Sequence, residues 1–414
     1  MKKKDFWRSD GVQSFIASIV CIILGLLIGF IVLLFINAKG APAAMLRIIQ
    51  NFFKWNSGSK KLETFGITLV KSAPLLMCSL SILFSYKVGL FNIGVAGQYV
   101  AGACAALYGV FGLHWNWFGC LILAAVAGAA FGVISGLLKA YCNVNEVISG
   151  IMLNWIGLYT TNMILARYLT AGRKDTPELA SQSDYQKAII PSLGLGKLFN
   201  DNKYVGLAII ISIIFAFAVW IVLTKTKFGY ELKATGYNKN AAKYAGMADK
   251  RNIVITLGIG GLLAGIGAAL LFLTDFKQWD CNQTSVPAMG FNGIAAAFLG
   301  GLNPIGAIFS SYFIQHITDG GNNVDLTMYC AQISDLISAI IIYLCGFTGL
   351  IKYLIRTGIL AKRSDDRGNA NAEDTDKAKA VANVSDAGKD KEKDEGNGNA
   401  VSGGAASGKG GEQS

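Results

Sequence analysis

The chain has 414 residues, of which 53% are hydrophobic and only 15% are charged, and its net charge is +11. Soluble domains carry about 25% charged residues, so this composition indicates a membrane protein rather than a soluble enzyme or a nucleic-acid-binding domain. With two His residues and no CxxC pair, the sequence gives no sign of a metal site, a cofactor site or a catalytic triad.

Ten apolar segments are predicted to cross the membrane as helices, because lone strands cannot satisfy their backbone groups in lipid. The predicted spans are 15–38, 64–84, 89–111, 117–139, 146–167, 204–224, 252–274, 289–301, 303–318 and 332–351. Asn303-Pro304, which follows two Gly residues, separates the eighth span from the ninth. The fold class expected is therefore an all-α polytopic membrane protein with one short or broken element.

Basic residues near both ends predict that both termini are cytoplasmic, which requires an even number of crossings. Residues 1–14 are then a cytoplasmic N-terminus, 15–355 a transmembrane domain and 356–414 a cytoplasmic tail. From residue 361 onward the tail holds nine basic and eleven acidic residues with few apolar ones, so disorder is predicted there. The resulting location is the cell membrane.

The tail contains one sequence that resembles a phosphate-binding loop. Gly403–Gly410 reads GGAASGKG, but Gly410 stands where a Ser or Thr would hold Mg²⁺, and no apolar strand precedes it. We reject this site, and we expect no nucleotide-hydrolysing domain in the chain.

A polar, helix-prone loop at residues 225–251 is the candidate docking surface. It carries seven basic and two acidic residues, and the predicted topology places it in the cytoplasm. Ala241, Ala242 and Ala245 predict a smooth helical face, and Gly236 is expected to permit a turn. A surface of this kind indicates that another subunit docks here.

Four amide side chains are candidates for a polar path through the membrane. Asn92 and Gln98 lie at the start of the third span, Asn154 lies inside the fifth, and Asn292 lies in the short eighth. A buried amide needs a partner, so each either bonds another helix or lines the path of a polar substrate. Lys71 is expected to extend outward from the second span.

Small residues recur at four-residue spacing in three predicted spans. They are Gly25 and Gly29 in the first, Gly128, Gly132 and Gly136 in the fourth, and Gly261 and Gly265 in the seventh. This spacing predicts helices whose backbones approach closely.

Three segments together resemble the permease subunits of ABC importers in the branched-chain amino-acid and simple-sugar superfamily. They are LFNIGVAGQYVAGA, GYELKATGYNKNAAKYAGM and GFNGIAAAFLGGLNPIG, in this order. The similarity is greatest to the nucleoside-uptake branch and covers about residues 15–355. Ala96 departs from the pattern, because that branch commonly has an acidic residue there.

The resemblance implies a fold like that of type II ABC importers and a set of partners. These are ABC ATPase subunits, a second permease that is identical or different, and an extracytoplasmic substrate-binding lipoprotein, with a small-molecule substrate, membrane lipid around the chain and no nucleic acid. It also implies that the loop supplies the coupling helix. By motif, the coupling residues would be Glu231, Ala234, Gly236, Asn238, Ala241, Ala242, Tyr244 and Gly246.

The function expected is a non-hydrolysing transport subunit that carries nucleosides. One alternative keeps the mechanism and changes the substrate to a simple sugar of the ribose or galactose type, or to a branched-chain amino acid. Another is an ion-coupled secondary transporter, which would usually keep functional carboxylates within its spans.

Overall fold

The computed structural model describes residues 10–170 and 172–325, residue 329 and separate positions between 336 and 357. The chain divides into two units, Met1–Tyr353 and Leu354–Ser414, and nearly all described residues lie in the first. Three predictions fall wholly or largely outside the described residues: the tenth span at 332–351, the basic N-terminus and the C-terminal tail.

The described part is helical, apart from an isolated bridge between Asp175 and Asp280. The main helices are α1 Asp10–Ile36, α2 Ala41–Gln50, α3 Gly58–Tyr86, α4 Val95–Phe111, α5 Trp117–Cys142, α6 Glu146–Leu165, α7 Leu207–Lys225, α8 Lys227–Tyr237, α9 Lys239–Tyr244, α10 Asp249–Phe272, α11 Met289–Leu299 and α12 Pro304–Gly321. Each of the first nine predicted spans overlaps one of these helices over most of its length.

Five of the described helices, α1, α3, α5, α7 and α10, are long and apolar enough to cross a membrane. Two shorter apolar helices, α4 and α11, accompany them. The start predicted for the third span was wrong, since α4 begins at Val95 rather than at residue 89. Gly89 takes a left-handed conformation with φ of 75°, and Ile93 and Gly94 form a further turn, so the chain turns before it becomes helical.

Helices α3 and α10 form the centre of the bundle. In each, 78% of the most apolar window is buried, against 22% in α1 and 28% in α7, whose apolar side chains therefore face outward. Helix α5 packs along α10, where Gly128 lies against Gly261 and Gly132 lies against the carbonyl of Leu257. A side chain at either glycine would collide with the backbone of α10. The glycines spaced four residues apart therefore allow the two helix backbones to approach closely, as the sequence predicted.

Helix α2 was not predicted. It is amphipathic, buries Ala41, Ala44 and Ile48, and packs against α12. Gly320 of α12 approaches the carbonyl of Ile48 so closely that no Cβ would fit. The available signal was a Pro near the helix start, followed by apolar residues at intervals of three and four.

The two ends of the bundle differ. We call the end that carries α8, α9 and the 87–94 turn the α8 face, and the end that carries 167–206 and 273–288 the distal face. On the distal face the two connecting segments are hydrogen-bonded together, for example from Thr176 N to Trp279 O at 2.9 Å and from Ile190 N to Leu273 O at 2.9 Å. The two connecting segments therefore form one hydrogen-bonded surface on the distal face rather than two independent loops.

One ion pair joins α3 and α12 toward the distal face. Lys71 Nζ lies 2.7 Å from Asp319 Oδ1, and Gln315 Nε2 donates to the same oxygen at 3.1 Å. The side chain of Asp319 is only 7% exposed. The expectation that Lys71 extends outward was wrong, because a buried carboxylate holds its ammonium group.

Candidate functional site

Two capped helices form the predicted coupling segment. The Thr226 hydroxyl accepts from Gly229 N at 3.0 Å at the start of α8, and Asn238 Oδ1 accepts from Ala241 N at 3.0 Å at the start of α9. Asn238 is extended, with φ of −154° and ψ of 102°, so the segment bends there. Side-chain caps of this kind stabilise short helices by about 1 kcal/mol.

The eight residues assigned to coupling divide into two sets. Asn238, Ala241, Tyr244 and Gly246 are exposed, and Tyr244 is 94% exposed. Glu231, Ala234 and Gly236 are half-buried, and Ala242 is 4% exposed. The prediction that three alanines form one smooth face was therefore wrong for Ala242, which packs inward. Ala241 and Ala245 face outward.

Sequence reasoning missed one aromatic residue on this surface. Tyr237 ends α8 and is 91% exposed, close to the equally exposed Tyr244 of α9 in sequence. Tyr is among the residues that are enriched at protein–protein interfaces, so the two exposed tyrosines are candidate contacts for a partner. Both tyrosines belong to the GYELKATGYNKNAAKYAGM segment, so the signal was present in the motif.

Gly236 contacts the turn between α3 and α4. A Cβ built on Gly236 would lie 2.6 Å from the carbonyl oxygen of Lys87 and 2.9 Å from Cα of Val88. From the other side, a Cβ on Gly89 would lie 3.2 Å from the carbonyl oxygen of Gly236. Gly236 lies inside α8 and does not make a turn. The position requires a residue without a side chain, because the backbones of α8 and of the 87–89 turn are in contact there.

A second contact joins α8 to α10. Asn252 Nδ2 donates to Thr235 Oγ1 at 3.1 Å, and both side chains are buried. Lys239 of α9 lies 3.5 Å from Asp249, but Lys239 is 53% exposed, so this pair contributes little. Helix α8 is thus held against α10 and against the 87–89 turn.

Asn92 and Gln98 bond each other. Asn92 Nδ2 donates to Gln98 Oε1 at 3.0 Å, and Gln98 Nε2 donates to Asn92 Oδ1 at 3.3 Å. The two residues are 3% and 1% exposed. Gly260 of α10 leaves room for the pair, since a Cβ there would lie 3.2 Å from Asn92 Nδ2. The reciprocal bonds fix the turn that leads into α4.

Asn154 of α6 bonds the start of α4. Its Oδ1 accepts from Gly97 N at 2.6 Å and its Nδ2 donates to Ile93 O at 3.1 Å. Gly97 N is one of the N-terminal helix amides that lack a partner within their own helix. Asn154 is 2% exposed. A side chain from another helix therefore serves as the cap of α4.

Asn292 does not join this cluster. It lies half-buried on α11, whose Gly290 packs against Ala96 and whose Gly293 packs against Cys78. Among the described residues, its side chain has no hydrogen-bond partner. Nor do three His, Cys, Asp or Glu side chains come together as a metal site anywhere in that part of the chain.

The order of these contacts defines the candidate site. It runs from exposed α9 through α8 and the Gly236 contact to the 87–89 turn, and then to the amides that hold the start of α4. The arrangement contains no nucleophile–base pair, and it can transmit displacement from the surface of α8 into the bundle.

Comparison with known proteins identifies relatives over most of the chain. Residues 65–346 match the family model of the permease component of branched-chain amino acid transport systems. The guanosine ABC transporter permease protein NupP of Bacillus subtilis is 30% identical over 81% of this chain and 94% of its own length. The nucleoside ABC transporter permease protein NupB of Lactococcus lactis is 30% identical over 86% and 97%.

A more distant relative has a different cargo in its name. The glucose ABC transporter permease protein TsgB13 of Haloferax volcanii is 25% identical over 86% of this chain and 92% of its own length. No solved structure matches the chain.

Proposed function

Because the chain belongs to the family of permease components of branched-chain amino acid transport systems, we propose that it carries nucleosides. It is the membrane-spanning permease subunit of an ABC importer, a transport component rather than an enzyme. The observation that supports nucleosides is the similarity to NupP and NupB, which are matched over more than nine-tenths of their lengths.

Separate ATPase subunits dock on α8 and α9 in this proposal, and the α8 face is cytoplasmic. The excess of seven basic over two acidic residues in 225–251 supports this orientation. The exposed Tyr237 and Tyr244 support a protein contact. A second permease, identical or different, completes the pore, and an extracytoplasmic lipoprotein delivers the substrate to the distal face.

ATP-driven closure of the ATPases displaces α8 in this mechanism. The Gly236 contact carries the displacement to the 87–89 turn, because two backbones in direct contact cannot move independently. The turn leads into the Asn92–Gln98 pair and then into the start of α4, which Asn154 holds from α6. Movement of the start of α4 then opens the pore to one side of the membrane or the other.

The four amides have different parts in the proposal. Asn92, Gln98 and Asn154 each use both their amide oxygen and their amide nitrogen in hydrogen bonds within the chain, so we assign them to positioning the start of α4. Asn292 is the amide assigned to the substrate path, because it is partly exposed and its side chain has no partner among the described residues. A nucleoside base and ribose require neutral donors and acceptors of this type.

Transport by the assembled importer tests the substrate. Uptake of labelled guanosine and cytidine is measured in cells that contain the chain, its ATPase and its lipoprotein, with ribose and leucine as competitors. We expect competition by unlabelled nucleosides only. Binding of leucine or ribose by the lipoprotein, with no binding of guanosine or cytidine, would contradict the nucleoside assignment and favour the sugar or amino-acid alternative.

A second experiment tests the coupling surface. Ala241→Glu places a carboxylate on the exposed side of α9, and we expect it to abolish uptake while the chain still inserts in the membrane. Normal uptake together with normal co-purification of the ATPase would contradict the assignment. In proteoliposomes without ATPase, accumulation on a proton or sodium gradient would instead support an ion-coupled transporter.

A further inference from the structure

Helix α6 packs against the bundle with small and polar residues and turns large apolar side chains outward. Five of its seven buried residues are small or polar, namely Ser149, Gly150, Asn154, Gly157 and Thr161. On the opposite side, Met152 is 59% exposed and Met163 is 65% exposed. Membrane helices that pack through small and polar residues are held by close backbone contact and by hydrogen bonds. The position of α6 therefore depends on the groups that its polar side chains bond.

Asn162 attaches α6 to the distal face. Its Oδ1 accepts from Trp279 Nε1 at 2.9 Å, and its Nδ2 donates to the carbonyl oxygen of Gln283 at 3.0 Å. Trp279 is 2% exposed, and its backbone N donates to Thr176 Oγ1 at 3.0 Å while its carbonyl accepts from Thr176 N at 2.9 Å. Asn162 is therefore bonded to the distal face at a point where the two connecting segments join each other.

The other half of α6 is held against the start of α4. A Cβ built on Gly150 would lie 2.7 Å from the backbone N of Gly94, and a Cβ built on Gly97 would lie 2.8 Å from Cα of Asn154. The side chain of Asn154 also accepts a hydrogen bond from Gly97 N. Backbones in contact at this distance cannot move independently, so a shift of α6 must shift the start of α4.

One uninterrupted helix joins these two attachments. Asn154 and Asn162 both lie within α6 and are eight residues apart. At the rise of an α-helix, this spacing separates the two amides by about 12 Å along the axis. A rigid helix that is hydrogen-bonded at two levels can carry a displacement from one level to the other.

We propose that α6 links the distal face to the start of α4, with Asn162 as its positioning residue. The proposal rests on the proposed function, in which an extracytoplasmic lipoprotein docks on the distal face and the start of α4 moves during coupling. Docking shifts the segment that holds Trp279, and α6 carries this shift to Gly94 and Gly97. The ATPase acts on the same segment from the α8 face through Gly236, so partners at the two ends of the bundle bias one element.

ATP hydrolysis by the assembled importer tests the link, as the ratio of rates with and without guanosine-loaded lipoprotein. Asn162→Leu removes both hydrogen bonds to the distal face, and Trp279→Phe removes one of them. Asn202→Leu is the matched control, because Asn202 is a buried amide of the same face that bonds Glu63 O of α3 at 3.2 Å and Tyr204 N at 3.0 Å. It makes the same change without removing a bond to α6.

Hydrogen exchange of the purified full chain gives a second measurement that requires no partner. Asn162→Leu should speed exchange at residues 94–98, because α6 holds Gly97 N through Asn154. A merely local role of Asn162 would change exchange on the distal face and leave residues 94–98 as they are in the wild type.

We expect Asn162→Leu to lower the stimulation by about fivefold or more, the size of ordinary allosteric coupling, and Trp279→Phe to lower it less. Asn202→Leu should keep the wild-type ratio. Unchanged stimulation in Asn162→Leu, unchanged exchange at residues 94–98, or equal losses in Asn162→Leu and Asn202→Leu would each overturn the link. A wild-type importer that the lipoprotein does not stimulate would instead contradict the proposed docking, and the exchange measurement would still decide the link.

Discussion

Gly236→Ala is the sharpest test of the contact that joins α8 to the bundle. The added Cβ would lie 2.6 Å from the carbonyl oxygen of Lys87 and 2.8 Å from the carbonyl carbon of Val88. Cβ atoms essentially never approach a neighbour within 3.0 Å, and ordinary contact begins at 3.4 Å. The two segments must therefore separate by about 0.4 to 0.8 Å, from the differences 3.0 − 2.6 and 3.4 − 2.6.

This separation has a moderate cost in stability and changes the geometry where α8 contacts the 87–89 turn. Overpacking of this kind destabilises by about 1–3 kcal/mol. Alanine in a helix recovers roughly 0.5–1 kcal/mol relative to glycine, so the net loss is about 0–2.5 kcal/mol. We expect the variant to fold and insert, while uptake falls by about tenfold, which corresponds to a loss of about 1.4 kcal/mol in coupling.

Uptake of labelled guanosine by the assembled importer measures the effect, with thermal unfolding of the purified chain as the stability readout. Gly58→Ala is the matched control, because nothing lies within 4 Å of a Cβ at that position. Uptake by Gly236→Ala equal to that of the wild type and of Gly58→Ala would refute transmission through this contact. Gly236→Pro should abolish uptake as well, but it also perturbs the helix backbone.

Three further predictions concern other parts of the chain. Asn154→Ala should lower the free energy of unfolding by about 2–5 kcal/mol, because two buried backbone groups at the start of α4 lose their partners. A loss below about 1 kcal/mol would contradict the role of Asn154 as the cap of α4. Lys71→Met should lower the free energy of unfolding by about 3 kcal/mol, because the carboxylate of Asp319 is left buried without a partner. The double variant Lys71→Met, Asp319→Leu should lose less, and unfolding of both variants in denaturant measures the difference. Burial next to Asp280 raises the pKa of Cys281 to about 11, so a polar maleimide should label exposed Cys142 at pH 7.5 and leave Cys281 unlabelled, as mass spectrometry would report.

The helices that the sequence predicted correctly are those with long apolar segments. Spans of about 20 apolar residues require helices in lipid, so the positions of α3, α5 and α10 followed directly. Helix α2 was missed because ten amphipathic residues are too few for a crossing and resemble a loop in hydropathy. The start of α4 was misplaced because hydropathy does not register a turn such as Leu90–Gly94 inside an apolar run.

The site was predictable by residue type but not by partner. The polar character of Asn92 and Asn154 in apolar surroundings predicted that both need hydrogen bonds, and both make them. Their partners are distant in sequence, since Asn154 bonds residues about 60 positions earlier. Gly236 shows the same limit more clearly: a glycine that contacts the 87–89 turn cannot be told from a turn-forming glycine without the tertiary contact.

Ala96 is buried where α4 packs against α11. A Cβ built on Gly290 would lie 2.6 Å from Cα of Ala96, and a Cβ built on Gly293, one turn later, would lie 2.8 Å from Cβ of Cys78 in α3. The small side of α11 is thus wedged between α3 and α4, and an acidic residue at position 96 would have no room. Asn292 lies between these glycines in sequence and so projects from the other side of the helix. In the proposed function, the side of α11 that carries Asn292 is therefore the side of this helix that is open to a substrate.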